Sequence, residues 1–186
     1  MRNRYTMQKL KLYLKRVYRL ALNSQKQEEL VWTDLKKIHA DSDWQSGVYE
    51  KEKYIETMFE ISDGIGGKFY YMIYDKTFHC RVKILEGLPV DLITDLFILA
   101  AHFNNLLNNG VVIVNVNSQY VEYHHKRDML IPLLYKGEID IQLFNHYSTA
   151  KDVYSAFQRL VDEQEAPAII IADLLKKNED GERDAE

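Results

Sequence analysis

The six histidines are the residues best suited to chemistry in this sequence, because imidazole binds metal ions and exchanges protons near neutral pH. His124 and His125 are adjacent in a predicted strand, so their side chains point to opposite faces and cannot share one metal ion. The other four are His39, His79, His102 and His146. They fall on different predicted elements without ligand spacings such as H-x-x-x-H. We therefore predict surface or core histidines, with neither a metal site nor a cofactor, and keep a site assembled from distant elements as the alternative.

A glycine-rich segment from Gly64 to Lys68 superficially resembles a phosphate-binding loop. Such loops need a strand before them and a helix after them, so that the N-terminus of the helix faces the anion. Here the patterns on both sides predict strands. The segment therefore favours a hairpin turn over a phosphate site.

The nucleophiles and carboxylates give no readable catalytic motif. No serine lies in a nucleophile elbow, and Cys80 alternates with Phe78 and Val82 on an apolar face, where a thiol is usually inert. The acids that stand out are Asp91, Asp95, Glu138 and Asp140. Without geometry, such acids are typical of a solvated surface. We therefore predict a protein that is not an enzyme.

The composition is that of an ordinary globular chain. Of its 186 residues, 46% are hydrophobic and 28% are charged, and the formal net charge of -4 gives no general attraction to nucleic acid. The single cysteine cannot form an internal disulfide. We find no signal-peptide pattern and no apolar run approaching the ~20 residues that cross a bilayer, so we expect a cytoplasmic protein without a transmembrane segment.

Two helices are predicted over residues 1–40. The apolar positions of the first helix recur every three or four residues, at Met7, Leu10, Leu14, Val17, Tyr18 and Ala21. Ser24 and Gln27 form a capping box that would open the second helix, and residues 41–47 are loop-like. Alternating patterns then predict strands over 54–61 and 78–84, and a nearly continuous apolar run predicts a central strand over 68–74. The short connections favour an antiparallel meander.

The second half of the chain predicts a helix, a hairpin and a last helix. Pro89 and Asp91 open the helix, Gly110 follows its end, and strands 111–116 and 119–126 come next. Residues 128–148 cannot be assigned. Thr149 and Asp152 would cap the last helix, which Pro167 breaks or restarts. The economical fold is α+β, with five antiparallel strands and helices on one face.

This order, together with certain residues, resembles the YbjN family and the related class I type III secretion chaperones. The stretch that carries the resemblance runs from Phe69 to Leu175. It includes the sequence FNNLL at residues 103–107, followed by Gly110 and a valine-rich strand, and a final helix with a late proline. The resemblance implies a secretion chaperone-like two-layer sandwich, often homodimeric, with a non-enzymatic, chaperone-like or regulatory role.

The predicted organisation is one domain over residues 1–177 followed by an acidic tail. Within that domain, residues 1–40 form an N-terminal helical region and residues 52–177 form the chaperone-like core. The tail, residues 178–186, has no apolar anchor, and we expect it to be disordered.

The basic first helix supports an alternative function. Residues 1–27 contain eight Lys or Arg and no acid. Lys9, Lys11 and Lys15 could meet phosphates while tyrosines 5, 13 and 18 stack on bases, or the helix could lie on an anionic membrane. We prefer the simpler interpretation, an amphipathic helix docked by its apolar stripe with its lysines in water, and consider nucleic acid an unlikely partner.

The middle strand supplies the predicted contact surface. Its alternating side chains are Phe69, Tyr71 and Ile73 on one side, and Tyr70, Met72 and Tyr74 on the other. Helices cover only one side of a single-layered sheet, so the second set is exposed unless a partner or the N-terminal helices cover it. We predict that the second set binds another polypeptide, and that the protein is a homo-oligomer. Leu96, Phe97 and Phe103 are predicted core or dimer residues.

Overall fold

A computed structural model describes residues 2–135 and 137–183, with the side chains of residues 7, 9–135 and 137–176. It contains helices and a six-stranded antiparallel sheet, which confirms the predicted α+β class. The described residues fall into two compact units. Unit 1 takes its residues from 1–57, 70–79 and 126–145, and unit 2 from 58–69, 80–125 and 146–186.

The sheet contains the predicted meander and hairpin. Its strands are β1 (Ser46–Tyr49), β2 (Tyr54–Ser62), β3 (Ile65–Tyr74), β4 (Thr77–Glu86), β5 (Val111–Asn115) and β6 (Tyr120–Asp128). They lie in the order β1-β2-β3-β4-β6-β5. The meander is β2–β3–β4 and the hairpin is β5–β6, so both predictions are confirmed. The glycine-rich segment turns β2 into β3, as a hairpin connection does.

Strand β1 is an addition that the sequence pattern did not predict. The sequence predicted a loop over residues 41–47 and five strands in all. Both predictions are wrong, because the sheet has a sixth, short strand at its edge that begins at Ser46. Ser46 pairs with Thr57 and Tyr49 with Tyr54, and the two tyrosine rings stack with centroids 4.2 Å apart. Because β1 has only four residues, of which three are exposed, it carries no alternating apolar signal.

The helices differ from the predictions mainly in their bounds. They are α1 (Arg2–Ala21), α2 (Ser24–Asp41), α3 (Ile93–Leu106), α4 (Leu130–Leu134), α5 (Gly137–Asp162) and α6 (Pro167–Arg183), with a 3₁₀ turn at Val90–Leu92. The unassigned segment is α4 and the first half of α5. The sequence predicts disorder from Asn178, whereas α6 continues to Arg183; residues 184–186 lie outside the described residues.

Two predicted caps are corrected. Thr149 does not begin a helix but lies within α5, whose buried stripe continues upstream through His146, Gln142 and Ile139. The two polar members of that stripe hid it from an apolar pattern. At α2 the capping side chain is Asn23, which accepts a hydrogen bond from the Lys26 backbone N–H at 3.0 Å, and not Ser24.

Each unit covers one side of its own part of β3. In unit 1 the ring of His39 on α2 lies 5.5 Å from that of Tyr71, and in unit 2 His146 on α5 lies 5.5 Å from Phe69. Phe69 and Tyr71 are fully buried. The intervening Tyr70 is only half-buried. The predicted alternation along β3 is therefore confirmed.

The outer edge of β5 is covered by one side chain from α3. Asn104 donates from Nδ2 to the Val112 carbonyl at 3.0 Å and accepts from the Val112 N–H at 2.6 Å. β5 is the last strand of the sheet, and an edge strand left open is prone to pair with other chains. Gly110, with φ +84°, leads into this strand where a Cβ would lie 2.6 Å from the Tyr123 ring.

We predict that Asn104→Ala lowers the free energy of unfolding by about 1–2 kcal/mol, because two hydrogen bonds to an edge strand are lost. Urea unfolding followed by circular dichroism measures this. Asn105→Ala, one residue along the same helix and exposed, is the matched control and should change stability little. Equal stability of the two variants would contradict the edge-covering role.

Candidate functional site

Helix α1 presents a broad apolar surface to solvent. At about 100° per residue, all the apolar side chains from residue 7 to residue 21 except Leu12 fill an arc of about 160° with no polar residue inside it. We call this arc the outward face; it consists of Met7, Leu10, Tyr13, Leu14, Val17, Tyr18, Leu20 and Ala21. Leu10 is 53% exposed and Leu14 is 57% exposed. An exposed surface of this size marks a binding site more often than an accident of packing.

The opposite side of α1 is mainly polar and faces the rest of unit 1. Arg19 is only 7% exposed, and its Nη2 lies 2.5 Å from Oδ2 of Asp34 on α2. Arg16 places its guanidinium carbon 4.1 Å from the centre of the Tyr135 ring, at the end of α4. Gln27 donates to the Arg19 and Leu20 carbonyls at 3.3 and 3.1 Å, which satisfies the C-terminal end of the helix.

The preferred interpretation of α1 is therefore wrong in one part. The sequence predicted docking through the apolar stripe with the lysines in water; the lysines are exposed, but so is the stripe, and the helix docks through Arg16 and Arg19 instead. The physical reason is that Arg19 finds a carboxylate and Arg16 an aromatic ring on unit 1. The apolar pattern identifies an amphipathic helix, but it does not say which face meets the body.

Basic side chains border the outward face on both edges. Lys9 flanks one edge, and Lys11 and Lys15 flank the other; all three are exposed. Residues 1–27 contain no acid. The side chain of Tyr5, which the nucleic-acid hypothesis also used, lies outside the described residues. The described surface is an apolar arc between two basic borders, which suits an anionic, amphiphilic partner.

The predicted sheet surface is less open than the outward face. Tyr70 and Met72 are half-buried and Tyr74 is 54% exposed. The Tyr74 ring stacks on His79 with centroids 4.1 Å apart, so one of its faces is already occupied. The three residues lie on the side of β3 away from Tyr71, as predicted, and they remain accessible in part.

The predicted core or dimer residues on α3 occupy two different environments. Leu96 and Phe103 are buried in unit 2, where Phe103 lies 6.2 Å from Phe157 of α5. Phe97 points away from that core and is 48% exposed. A helical pattern alone could not separate them, because Phe97 adjoins the buried stripe.

A buried polar and aromatic cluster in unit 2 is a feature that sequence reasoning missed. His146 is fully buried, and its ring stacks on Tyr123 with centroids 5.0 Å apart. Burial, and then the neighbouring His125, lower the pKa of His146 to about 3. Burial raises the pKa of Tyr123 to about 12, and its hydroxyl donates to the Asn109 carbonyl at 2.9 Å. At neutral pH both groups are uncharged and serve packing.

The other chemically competent residues stay apart or inert. Burial raises the pKa of the Cys80 thiol well above its ordinary value, which disfavours the thiolate. In unit 2, Asp91 lies in the 3₁₀ turn before α3 and Asp95 in the first turn of α3; in unit 1, Glu138 and Asp140 lie at the start of α5. Among the described residues, no three His, Cys, Asp or Glu side chains come together as a metal ion would require.

Comparisons with known proteins leave the family open. No model of a known protein family matches the sequence, and no curated protein is similar to it. The resemblance to the YbjN family and the secretion chaperones therefore stays a prediction. Within the described residues, none of the helices combines the length and apolar character needed to cross a membrane.

We predict that His146 makes stability depend on pH. Its folded pKa of about 3 lies below the ordinary 6.5, so the unfolded chain binds a proton that the folded chain does not. Its contribution is therefore complete above about pH 6.5, and it falls by up to about 1.4 kcal/mol per pH unit as the pH drops toward 3. Urea unfolding at several pH values measures this slope.

His146→Phe should flatten that slope, because phenylalanine fills an aromatic site and cannot be protonated. The stability of this variant should still depend on pH to some extent, since burial also lowers the pKa of His39. His102→Gln, at an exposed position on α3, is the control and should keep the full slope. A His146→Phe protein with the slope of the unmodified chain would show that His146 is not the titrating group.

Proposed function

We propose that this protein is a non-enzymatic binding module that docks on an anionic membrane surface through the outward face of α1. The observation that carries the proposal is the orientation of α1, which places Arg19 against Asp34 and leaves Leu10 and Leu14 in water. An interfacial helix has the same design, with an apolar face for the acyl boundary and lysines for the headgroups.

The width and charge of the outward face favour a lipid surface over other occupants. A second copy of α1 would bring Lys9, Lys11 and Lys15 against identical lysines, and like charges repel. Nucleic acid would use the lysines but would leave Leu10 and Leu14 without an apolar partner. A membrane offers both an anionic surface and an apolar layer, and it needs no groove, because it adapts to an arc of about 160°.

The first test uses vesicles. The full chain should sediment with vesicles of phosphatidylcholine and phosphatidylglycerol, and much less with phosphatidylcholine alone, because each lysine near an anionic surface contributes about 1 kcal/mol. Raising the salt from 0.1 to 1 M should weaken binding, as the screening length falls from about 10 to 3 Å. Changing Leu10 and Leu14 to Ser should weaken binding by about ten-fold per leucine.

Phe144→Ser is the matched control, because Phe144 is also an exposed apolar residue of unit 1 but lies on α5. It should bind vesicles as the unmodified chain does. The proposal fails if anionic vesicles are not bound, or if the two leucine substitutions have no effect. A gel shift with nucleic acid at low salt, lost when Lys9, Lys11 and Lys15 become Glu, would support the rival nucleic-acid function instead.

A second candidate function is binding of a polypeptide at the sheet surface. The exposure of Tyr74 beside the half-buried Tyr70 and Met72 favours it, because tyrosine and methionine are enriched at protein interfaces. We propose a second copy of this chain as the occupant, which would also account for the homodimer implied by the family resemblance. This surface is separate from the outward face.

Changing Tyr70 and Tyr74 to Ser should weaken self-association and leave the fold intact, because neither ring is buried in the core. Light scattering across a range of concentrations measures the molecular mass, and circular dichroism checks the fold. Val90→Ser, at an exposed residue ahead of α3, serves as the control. A mass unchanged by the tyrosine substitutions would count against this interface.

A further inference from the structure

A cavity of about 510 Å³ lies under α1 in unit 1, on the side opposite the outward face. Its lining comes from α1 and from the α4–α5 region. The lining residues are Leu12, Lys15, Arg16, Arg19, Leu134, Tyr135, Gly137, Glu138 and Ile141. This volume lies in the range of about 300–1,000 Å³ that small-molecule sites occupy.

Two guanidinium groups of this cavity have hydrogen-bonding capacity left over. The Nε atoms of Arg16 and Arg19 are buried and have no acceptor among the described residues. Arg19 is more than nine-tenths buried as a whole residue, and only its Nη2 meets Asp34. Because these Nε atoms are shielded from solvent, a ligand in the cavity would meet the Nη atoms of the two guanidinium groups, whose charges lie beside it.

The charge of the lining is positive. Three of the lining residues are cations, and Glu138 is the one carboxylate among the lining residues. Glu138 is already engaged, since it lies 3.3 Å from Arg127 and accepts a hydrogen bond from Gln142 at 2.8 Å. Asp34 offsets Arg19, which leaves the charges of Lys15 and Arg16 for a ligand.

The rest of the lining is apolar. Leu12 of α1, Leu134 of α4 and Ile141 of α5 supply aliphatic surface, and the Tyr135 ring lies beneath Arg16. A free inorganic anion would use the cations and leave this surface in water. A molecule with an anionic head and an apolar body would use both.

We propose that this cavity binds a small amphiphilic anion, with a phosphate or carboxylate head held by Arg16 and Lys15 and with the ion-paired Arg19 beside it. The planar guanidinium fork matches the geometry of both oxyanions, and the apolar body lies against Leu134 and Ile141. The head can belong to a free metabolite or to a single lipid molecule, since both present the same chemistry.

Isothermal titration calorimetry on the full chain tests the site with hexyl phosphate, hexanoate, inorganic phosphate and hexanol. Hexyl phosphate or hexanoate should bind more tightly than inorganic phosphate and hexanol. Lysophosphatidic acid, used below its critical micelle concentration, distinguishes a lipid from a free metabolite as the source of the anionic head. If it binds more tightly than hexyl phosphate, the head belongs to a lipid. If it binds equally or more weakly, the head belongs to a free metabolite. Binding by none of the anionic amphiphiles would overturn the proposal, as would equal binding of inorganic phosphate.

Substitutions locate the site. Arg16→Met keeps the aliphatic part of the side chain. It should weaken the binding of hexyl phosphate by about ten-fold or more, because a charge-assisted hydrogen bond is lost. Ile141→Trp should fill the cavity and so weaken the binding of hexyl phosphate without removing any charge. Arg19 is left in place because Asp34 depends on it.

Two controls separate this site from the rest of the molecule. Lys151→Met removes a cation that lies 5.6 Å from the Tyr147 ring in unit 2, and it should leave hexyl phosphate binding unchanged. The protein with Leu10→Ser and Leu14→Ser should also bind hexyl phosphate normally. The loss of vesicle binding and the loss of ligand binding in the cavity can therefore be told apart. Unchanged binding by both Arg16→Met and Ile141→Trp would overturn the proposal.

Discussion

The ion pair between Arg19 and Asp34 is the interaction on which the account of the N-terminal region depends. Arg19 is almost fully buried, and a buried arginine is tolerated only where a carboxylate compensates its charge. Because Asp34 lies on α2, the pair fixes which side of α1 packs against the rest of unit 1. Every apolar residue on the opposite side of α1 is then left in water.

Both proposed binding surfaces depend on that one orientation. The outward face of α1 is exposed because the polar side of the helix packs against the rest of unit 1. The lysines at its edges would favour anionic partners. On the inner side, arginines held close to α4 and α5 border a cavity that aliphatic residues complete. Both surfaces combine basic side chains with apolar ones, which is why we propose anionic amphiphiles for both.

The sequence predicted those parts of the fold whose signals are local. The strands β2, β4 and β6 alternate clearly, β3 and β5 are short apolar runs, and the turns contain the expected residues, so the meander and hairpin were recognisable. The strand β1 was missed because Tyr49 is stabilised by a partner, Tyr54, across the pair. Helix α5 was shortened because His146 interrupts its apolar stripe, and a histidine gives no sign of being buried in an aromatic cluster.

The orientation of α1 could not be predicted, since it is set by Asp34 and Tyr135 from other helices. Hydroxyl-radical footprinting of the unmodified chain, read by mass spectrometry, tests it most directly. Met7, Leu14 and Tyr18 should be oxidised readily, as exposed side chains are, while Leu35 and Phe157 of the cores are protected. Protection of Leu14 and Tyr18 to the level of Leu35 would contradict the account, because it would place the apolar stripe of α1 against protein.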